Sequence, residues 1–235
     1  MSPGDAGPHD ATQRQRLALA LDLDDLVAAQ RLARRLSPWF GVAKVGLELF
    51  SAAGPSAVQA MIDDGYRVFL DLKLADIPTT VRRSATVLGA LGASYLTLHA
   101  FAGRAMLRAG VDGLAEGADR AGLEPPCALA VTVLTSDADA PPHILGKRVS
   151  VAVQAGCGGV VCAASDVAEA KQLAPRLLTV VPGIRQAGAP GNDQARVATA
   201  KAALAAGAGL LVIGRTVTAA ADPEAAAAEL AASIA

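Results

Sequence analysis

The run Asp71-Leu72-Lys73-Leu74-Ala75-Asp76 places three charged side chains in six residues, straight after the apolar stretch Val68-Phe69-Leu70. In an extended chain, period-2 alternation puts Asp71 and Lys73 on one face, with Asp76 in the loop that follows. Lys44 stands inside a second apolar run, Val42-Ala43-Lys44-Val45-Gly46. A lysine in such a setting needs a partner or a task. If the two runs are neighbours, the charges alternate as Lys44, Asp71, Lys73, Asp76. At an effective dielectric near 20, neighbours about 4 Å apart attract by about 4 kcal/mol, which favours the charged forms. Four alternating charges facing one pocket are expensive to bury for structure alone. They point to chemistry.

A second constellation joins Val181-Pro182-Gly183-Ile184-Arg185 to Ile213-Gly214-Arg215. Glycine lets backbone N–H groups approach an anion, and a following helix start adds positive potential. Arg215 can fork onto a phosphate. Between the two pieces, Arg185–Gln194 reads RQAGAPGNDQ, a long loop able to close as a lid over a ligand.

These residues need a frame. Eight short apolar runs recur along the chain: Leu17–Leu21, Val42–Gly46, Val68–Leu72, Tyr95–Leu98, Ala128–Leu134, Gly159–Cys162, Leu177–Val181 and Leu210–Ile213. Such near-continuous runs suit parallel strands covered on both faces. Between them lie amphipathic segments, among them Asp24–Leu36, Pro55–Asp64, Thr79–Leu91, Gly103–Ala121 and Asp193–Ala206, and a last helix opening at Asp222-Pro223-Glu224. Gly65, Gly92 and Gly207 stand where helices should stop. Eight strands, each followed by helix, predict an α/β fold of the (β/α)8 TIM-barrel class, phosphate-binding type. An open doubly wound sheet is the alternative, but it gives no reason for the count.

The barrel supplies a check of its own, because its active site lies at the C-terminal strand ends. Those ends carry Asp22, Lys44, Asp71 with Lys73, His99, Thr135 with Ser136, Pro182-Gly183 with Arg185, and Gly214-Arg215. The strand bodies are nearly bare of charge. Polar loops alone account for Thr135 and Ser136, but poorly for Lys44. His99 has no evident partner, while His9 and His143 read as solvent residues.

The 235 residues suit one barrel domain over residues 16–235, preceded by a Gly-, Pro- and polar-rich tail over residues 1–15 expected to be disordered. With 52% apolar and only 3% aromatic residues, the core must be built from Ala, Val, Leu and Ile. A net charge of −1 leaves no broad basic surface for nucleic acid or an anionic membrane. Cys127, Cys157 and Cys162 are odd in number and lack C-x-x-C spacing, so free thiols are expected rather than disulfides or zinc. No leader-like or membrane-spanning run is visible, and a cytoplasmic location is expected.

Taken in order, ALALD at Ala18–Asp22, KVGLELF at Lys44–Phe50, DLKLADIPTT at Asp71–Thr80, VTVLTS at Val131–Ser136, GVVC at Gly159–Cys162, PGIR at Pro182–Arg185, NDQ at Asn192–Gln194 and IGRTVT at Ile213–Thr218 resemble the orotidine 5′-monophosphate decarboxylase family. The ordered set covers nearly the whole chain after the tail. The resemblance implies conversion of orotidine 5′-monophosphate to UMP in pyrimidine synthesis, with no metal and no organic cofactor. It implies a homodimer with shared sites, in which Asp76, Ile77 and Thr80 reach into the partner's site. Lys73 would protonate C6 and Asp71 would face the departing carboxylate. Asp22 and Lys44 would hold the ribose hydroxyls, and Thr135 and Ser136 the pyrimidine. Pro182, Arg185, Gln194, Gly214 and Arg215 would form the phosphate site, with Gln194 on the lid. One departure is Ala75, where many bacterial members of the family carry His.

Two rivals stand beside this reading. A phosphosugar lyase of the related barrel group, acting on a 3-keto-hexulose phosphate, would pass through an enediolate and want Mg2+. The DIPTT and NDQ segments favour the nucleotide. A non-catalytic nucleotide-binding barrel would have no need of alternating charges.

Overall fold

The computed structural model describes residues 11–134, 141, 143–185 and 198–234. Along them run α1 (Ala11–Arg14), β1 (Leu17–Leu21), α2 (Leu26–Leu36), β2 (Val42–Gly46), α3 (Leu47–Ala53), α4 (Pro55–Asp63), β3 (Arg67–Leu74) and α5 (Pro78–Gly89). Then follow β4 (Tyr95–His99), α6 (Arg104–Ala121), β5 (Cys127–Val131), α7 (Ile144–Ala155), β6 (Gly159–Val161), α8 (Val167–Leu173), β7 (Leu178–Val181), α9 (Ala200–Ala205), β8 (Leu210–Ile213), α10 (Arg215–Thr218) and α11 (Pro223–Ala232). All eight strands pair in parallel and close in chain order, β8 returning to β1. This is the expected (β/α)8 barrel.

Alternation sorts each strand between two cores. Leu17, Leu19 and Leu21 point out to the helices, whereas Ala18 and Ala20 join Val42, Phe69, Tyr95, Leu129, Val180, Leu210 and Val212 inside the barrel. The lumen is therefore closed by small and branched side chains with two aromatic rings, Phe69 and Tyr95, in edge contact. The same parity carries upward. Lys44 continues Val42, Asp71 continues Phe69, and Thr97 and His99 continue Tyr95.

Several boundaries differ from the sequence reading. Residues 11–14, placed in the tail, form one helical turn, and Gln13 donates to the Ala231 carbonyl at 2.8 Å. β5 stops at Val131 rather than Leu134. There the Thr132 hydroxyl donates to the Val161 carbonyl, and the Arg148 guanidinium donates to the Thr132 carbonyl. The Thr132 N–H makes a last backbone bond to the same Val161 carbonyl at 3.0 Å, and side chains then take over. Of the helix expected over Asp193–Ala206, residues 193–197 lie outside the described residues; α9 opens at Ala200, after Ala198 bridges Ile184 and the Thr199 side chain accepts the Ala202 N–H. Helices α3, α7 and α8 lie outside the segments whose periodicity predicts helix.

The α5–α6 pair positions the site most directly, since α5 leaves the Asp71–Thr80 segment. It seats against α6 backbone to backbone. A Cβ on Gly113 would overlap the Arg82 carbonyl, and one on Gly117 the Thr86 carbonyl. Only glycine permits this approach.

Candidate active site

A cavity of about 570 Å³ opens at the C-terminal ends of the strands. Its floor is Ala20, Phe69 and Val212, and Val131, Val133, Leu134 and Val161 form an apolar wall. Among the described residues, four cations (Lys44, Lys73, Arg185, Arg215) and three carboxylates (Asp22, Glu48, Asp71) line it.

The charges are segregated by strand. Lys44, only 7% exposed, sets its ammonium 2.8 Å from Asp22 and 3.8 Å from Asp71. Lys73 Nζ lies 2.8 Å from Asp71 Oδ2. The array within one chain is thus Asp22–Lys44–Asp71–Lys73. This departs from the expected alternation, whose fourth member was Asp76. Asp76 is exposed, its Oδ1 accepts the Ile77 N–H at 2.6 Å, and it forms no ion pair among the described residues. Asp76 follows β3, which ends at Leu74, and does not line the cavity. Ile77 and Thr80 are exposed as well. One chain does not bring these three residues into the cavity.

The turn at this point begins at Lys73 itself. Its φ of 51° makes it the one described non-glycine residue in the left-handed region. That conformation costs of order 1–3 kcal/mol and persists only where the surroundings over-determine it. Simple alternation along β3 ends here, and pairing with β4 slips between Leu70 and Leu74.

Thr97, fully buried, meets both ends of this feature. Its Oγ1 accepts the Lys73 N–H at 2.9 Å and donates to Asp71 Oδ1 at 2.9 Å. Sequence reasoning did not single it out. The available signal was a hydroxyl at an inward position of the apolar run Tyr95–Leu98. Glu48 and Thr218 also line the cavity and were missed.

At the ends of β7 and β8, Pro182, Gly183, Arg185, Gly214 and Arg215 share the same cavity. Gly183 takes φ 78°, which a side chain would resist. Arg185 is 8% exposed, and its guanidinium donates to its neighbour's carbonyl at Ile184, which also accepts the Thr216 hydroxyl at 2.8 Å. Thr135, Ser136 and Gln194 lie outside the described residues.

His99 closes β4. Its ring lies 4.7 Å from that of Phe101, and its Nδ1 is buried without a hydrogen-bond partner among the described residues. Burial, then the charges of Lys73 and Arg148, hold its pKa below the usual histidine value, with Asp71 opposing. The three cysteines are free, and burial pushes Cys127 up and Cys157 up to about 12, so neither is a ready nucleophile. Among the described residues no group of three or more His, Cys, Asp or Glu could hold a metal ion, and no helix is long and apolar enough to cross a membrane.

This geometry has close relatives. Residues 15–230 match the sequence model of the orotidine 5'-phosphate decarboxylase / HUMPS family. The orotidine 5'-phosphate decarboxylase of Anaeromyxobacter sp. (strain K) is 46% identical over 231 residues, spanning 94% of this chain and 98% of that protein. The Moorella thermoacetica protein of the same name is 43% identical over 233 residues, spanning 94% and 92%. The crystal structure of orotidine 5'-phosphate decarboxylase from Lactobacillus acidophilus superposes with a TM-score of 0.74 at 33% identity, covering 93% of this chain and 98% of that one. With nearly the full barrel matched and the charged strand ends in place, the chain belongs to the orotidine 5'-phosphate decarboxylase / HUMPS family.

Proposed function

We propose that this chain is an orotidine 5'-phosphate decarboxylase, converting orotidine 5'-monophosphate to UMP and CO2. The observation that carries the reading is the order of groups around the barrel. The arginines stand at β7 and β8, Asp22 and Lys44 at β1 and β2, and Asp71 and Lys73 at β3. Because β8 neighbours β1, this is the order phosphate, ribose, base along a nucleotide.

Arg185 and Arg215 hold the phosphate, with backbone of Pro182, Gly183 and Gly214 beside it and Gln194 on the lid. Asp22 and Lys44 hold the ribose hydroxyls. Thr135 and Ser136 contact the pyrimidine. Asp71 faces the substrate carboxylate. When the bond from C6 to the carboxylate breaks, CO2 leaves and the electron pair stays on C6. Lys73 stabilises that charge as an ammonium, transfers a proton to C6 and is left as an amine, which solvent recharges. Neither a metal nor an organic cofactor is required. Phosphate binding, remote from C6, contributes binding energy to closure of the site.

Asp76, Ile77 and Thr80 act in the second subunit of a homodimer. Their exposure in the single chain supports this, because a cavity that lacks them can receive their counterparts from a partner copy. The enzyme works in the cytoplasm as one barrel domain from residue 16, without a nucleic-acid or membrane partner.

The test is loss of orotidine 5'-monophosphate absorbance, with UMP as product, in the presence of EDTA. Metal-independent turnover is expected. UMP binding without turnover would leave a binding protein, and Mg2+-dependent cleavage of a hexulose phosphate would move the chain to the other branch of its family.

A further inference from the structure

β3 departs from regular geometry where its chemistry sits. Pairing runs from Leu70 opposite Leu96 to Leu74 opposite Leu98, four steps on β3 against two on β4. The surplus is taken up by the left-handed residue, Lys73, at φ 51°. Such a bulge re-aims a side chain, and it needs something to hold it.

Thr97 is the group in place to do so. One hydroxyl takes the Lys73 N–H and gives its own proton to Asp71 Oδ1, each at 2.9 Å. The two carboxylate oxygens of Asp71 are thereby divided. Oδ1 faces the hydroxyl, while Oδ2 faces Lys73 Nζ at 2.8 Å and Lys44 Nζ at 3.8 Å. Satisfying a buried N–H would need only an acceptor on β4. The outgoing bond gives the buried hydroxyl proton its acceptor, and that acceptor is the carboxylate that holds the Lys73 ammonium.

We propose that Thr97 is a positioning residue for decarboxylation. Its hydroxyl locks the turn at Lys73 to the rotamer of Asp71, and so sets where Lys73 Nζ stands relative to the reacting carbon. The proposal rests on the decarboxylase reading. Thr97 is fully buried and does not line the cavity, so its removal acts on the chemical step rather than on nucleotide binding.

The experiment compares Thr97→Val, which keeps the shape and removes the hydroxyl, with Thr97→Ser, which keeps the hydroxyl. For Thr97→Val, kcat should fall by about 10²-fold, as a misplaced catalytic group implies, with KM and the Kd for UMP within about threefold of wild type. Thr97→Ser should restore kcat to within about threefold. If the valine variant does not fold, Thr97→Ala takes its place. Ala and Ser lose the same methyl, so their kcat ratio isolates the hydroxyl. A hydroxyl-free variant with wild-type kcat, a serine variant as impaired as it, or a loss confined to KM would each overturn the proposal. Failure of the wild type to turn over orotidine 5'-monophosphate would instead overturn the decarboxylase reading.

Discussion

Lys73 Nζ lies 2.8 Å from Asp71 Oδ2, across a single intervening residue of chain. The contact is local, but its geometry is not. It depends on a left-handed backbone at Lys73 and on a hydroxyl from the next strand. An ammonium held this way is aimed before any ligand arrives, and little reorganisation is left for a proton transfer of the kind proposed.

Lys73→Ala should leave the barrel folded and remove decarboxylation. Loss of both the stabilising charge and the proton donor should lower kcat/KM by at least about 10⁴-fold. Steady-state assay together with circular dichroism checks this. Activity within about tenfold of wild type would remove Lys73 from its role.

The proposed sharing of sites between subunits makes a complementation prediction. Mixing Lys73→Ala protein with Asp76→Ala protein should restore activity, because in a mixed dimer one site carries both defects and the other neither. Subunit exchange is verified by mass spectrometry. Exchange without recovery would count against Asp76 acting across the interface.

Arg215→Ala should weaken phosphate recognition. A charge-assisted hydrogen bond is worth about 1.5–3 kcal/mol, so the Kd for UMP should rise by roughly 10- to 150-fold. Calorimetry with UMP and with uridine checks it, since uridine binding should change little. An equal loss for both ligands would place Arg215 away from the phosphate.

His99 should make stability depend on pH. Its pKa is lowered in the folded chain by burial, Lys73 and Arg148. Between that lowered value and its ordinary value near 6.5, the unfolded chain binds the extra proton. Its contribution is therefore complete above about pH 6.5 and is lost as pH falls below it. Urea midpoints at about pH 7.5 and about pH 5.5 should drop more for wild type than for His99→Gln. Equal drops would mean that His99 does not carry the effect.

Gly117→Ala should destabilise the barrel despite the better helix former. Helix propensity favours Ala by about 1 kcal/mol, whereas overpacking costs about 1–3 kcal/mol. The overlap is with the Thr86 carbonyl, which is backbone and cannot rotate aside. Urea unfolding should show a net loss, and a gain would mean that α5 shifts freely on α6.

The sequence by itself determined the strand bodies, the count of eight and the residues at the strand ends. Continuous apolar runs and period-2 parity are local properties, legible without neighbours. The same logic marked Lys44, because a lysine inside an apolar run needs partners wherever it lies. It also brought Pro182, Arg185, Gly214 and Arg215 to one cavity, through the rule that barrel chemistry lies at one end. Local logic stopped at Lys73. Alternation extended through Asp76 gave an array of Lys44, Asp71, Lys73 and Asp76, whereas the chain closes its own array with Asp22. Tertiary structure decided that point: the pairing of β3 with β4 slips, Lys73 takes a left-handed backbone, and Asp76 lies exposed beyond it. It also decided Thr97, whose polarity is visible in the run Tyr95–Leu98 but whose two partners lie on another strand. Register and cross-strand hydrogen bonds are properties of pairs of strands, and a single run of residues cannot encode them.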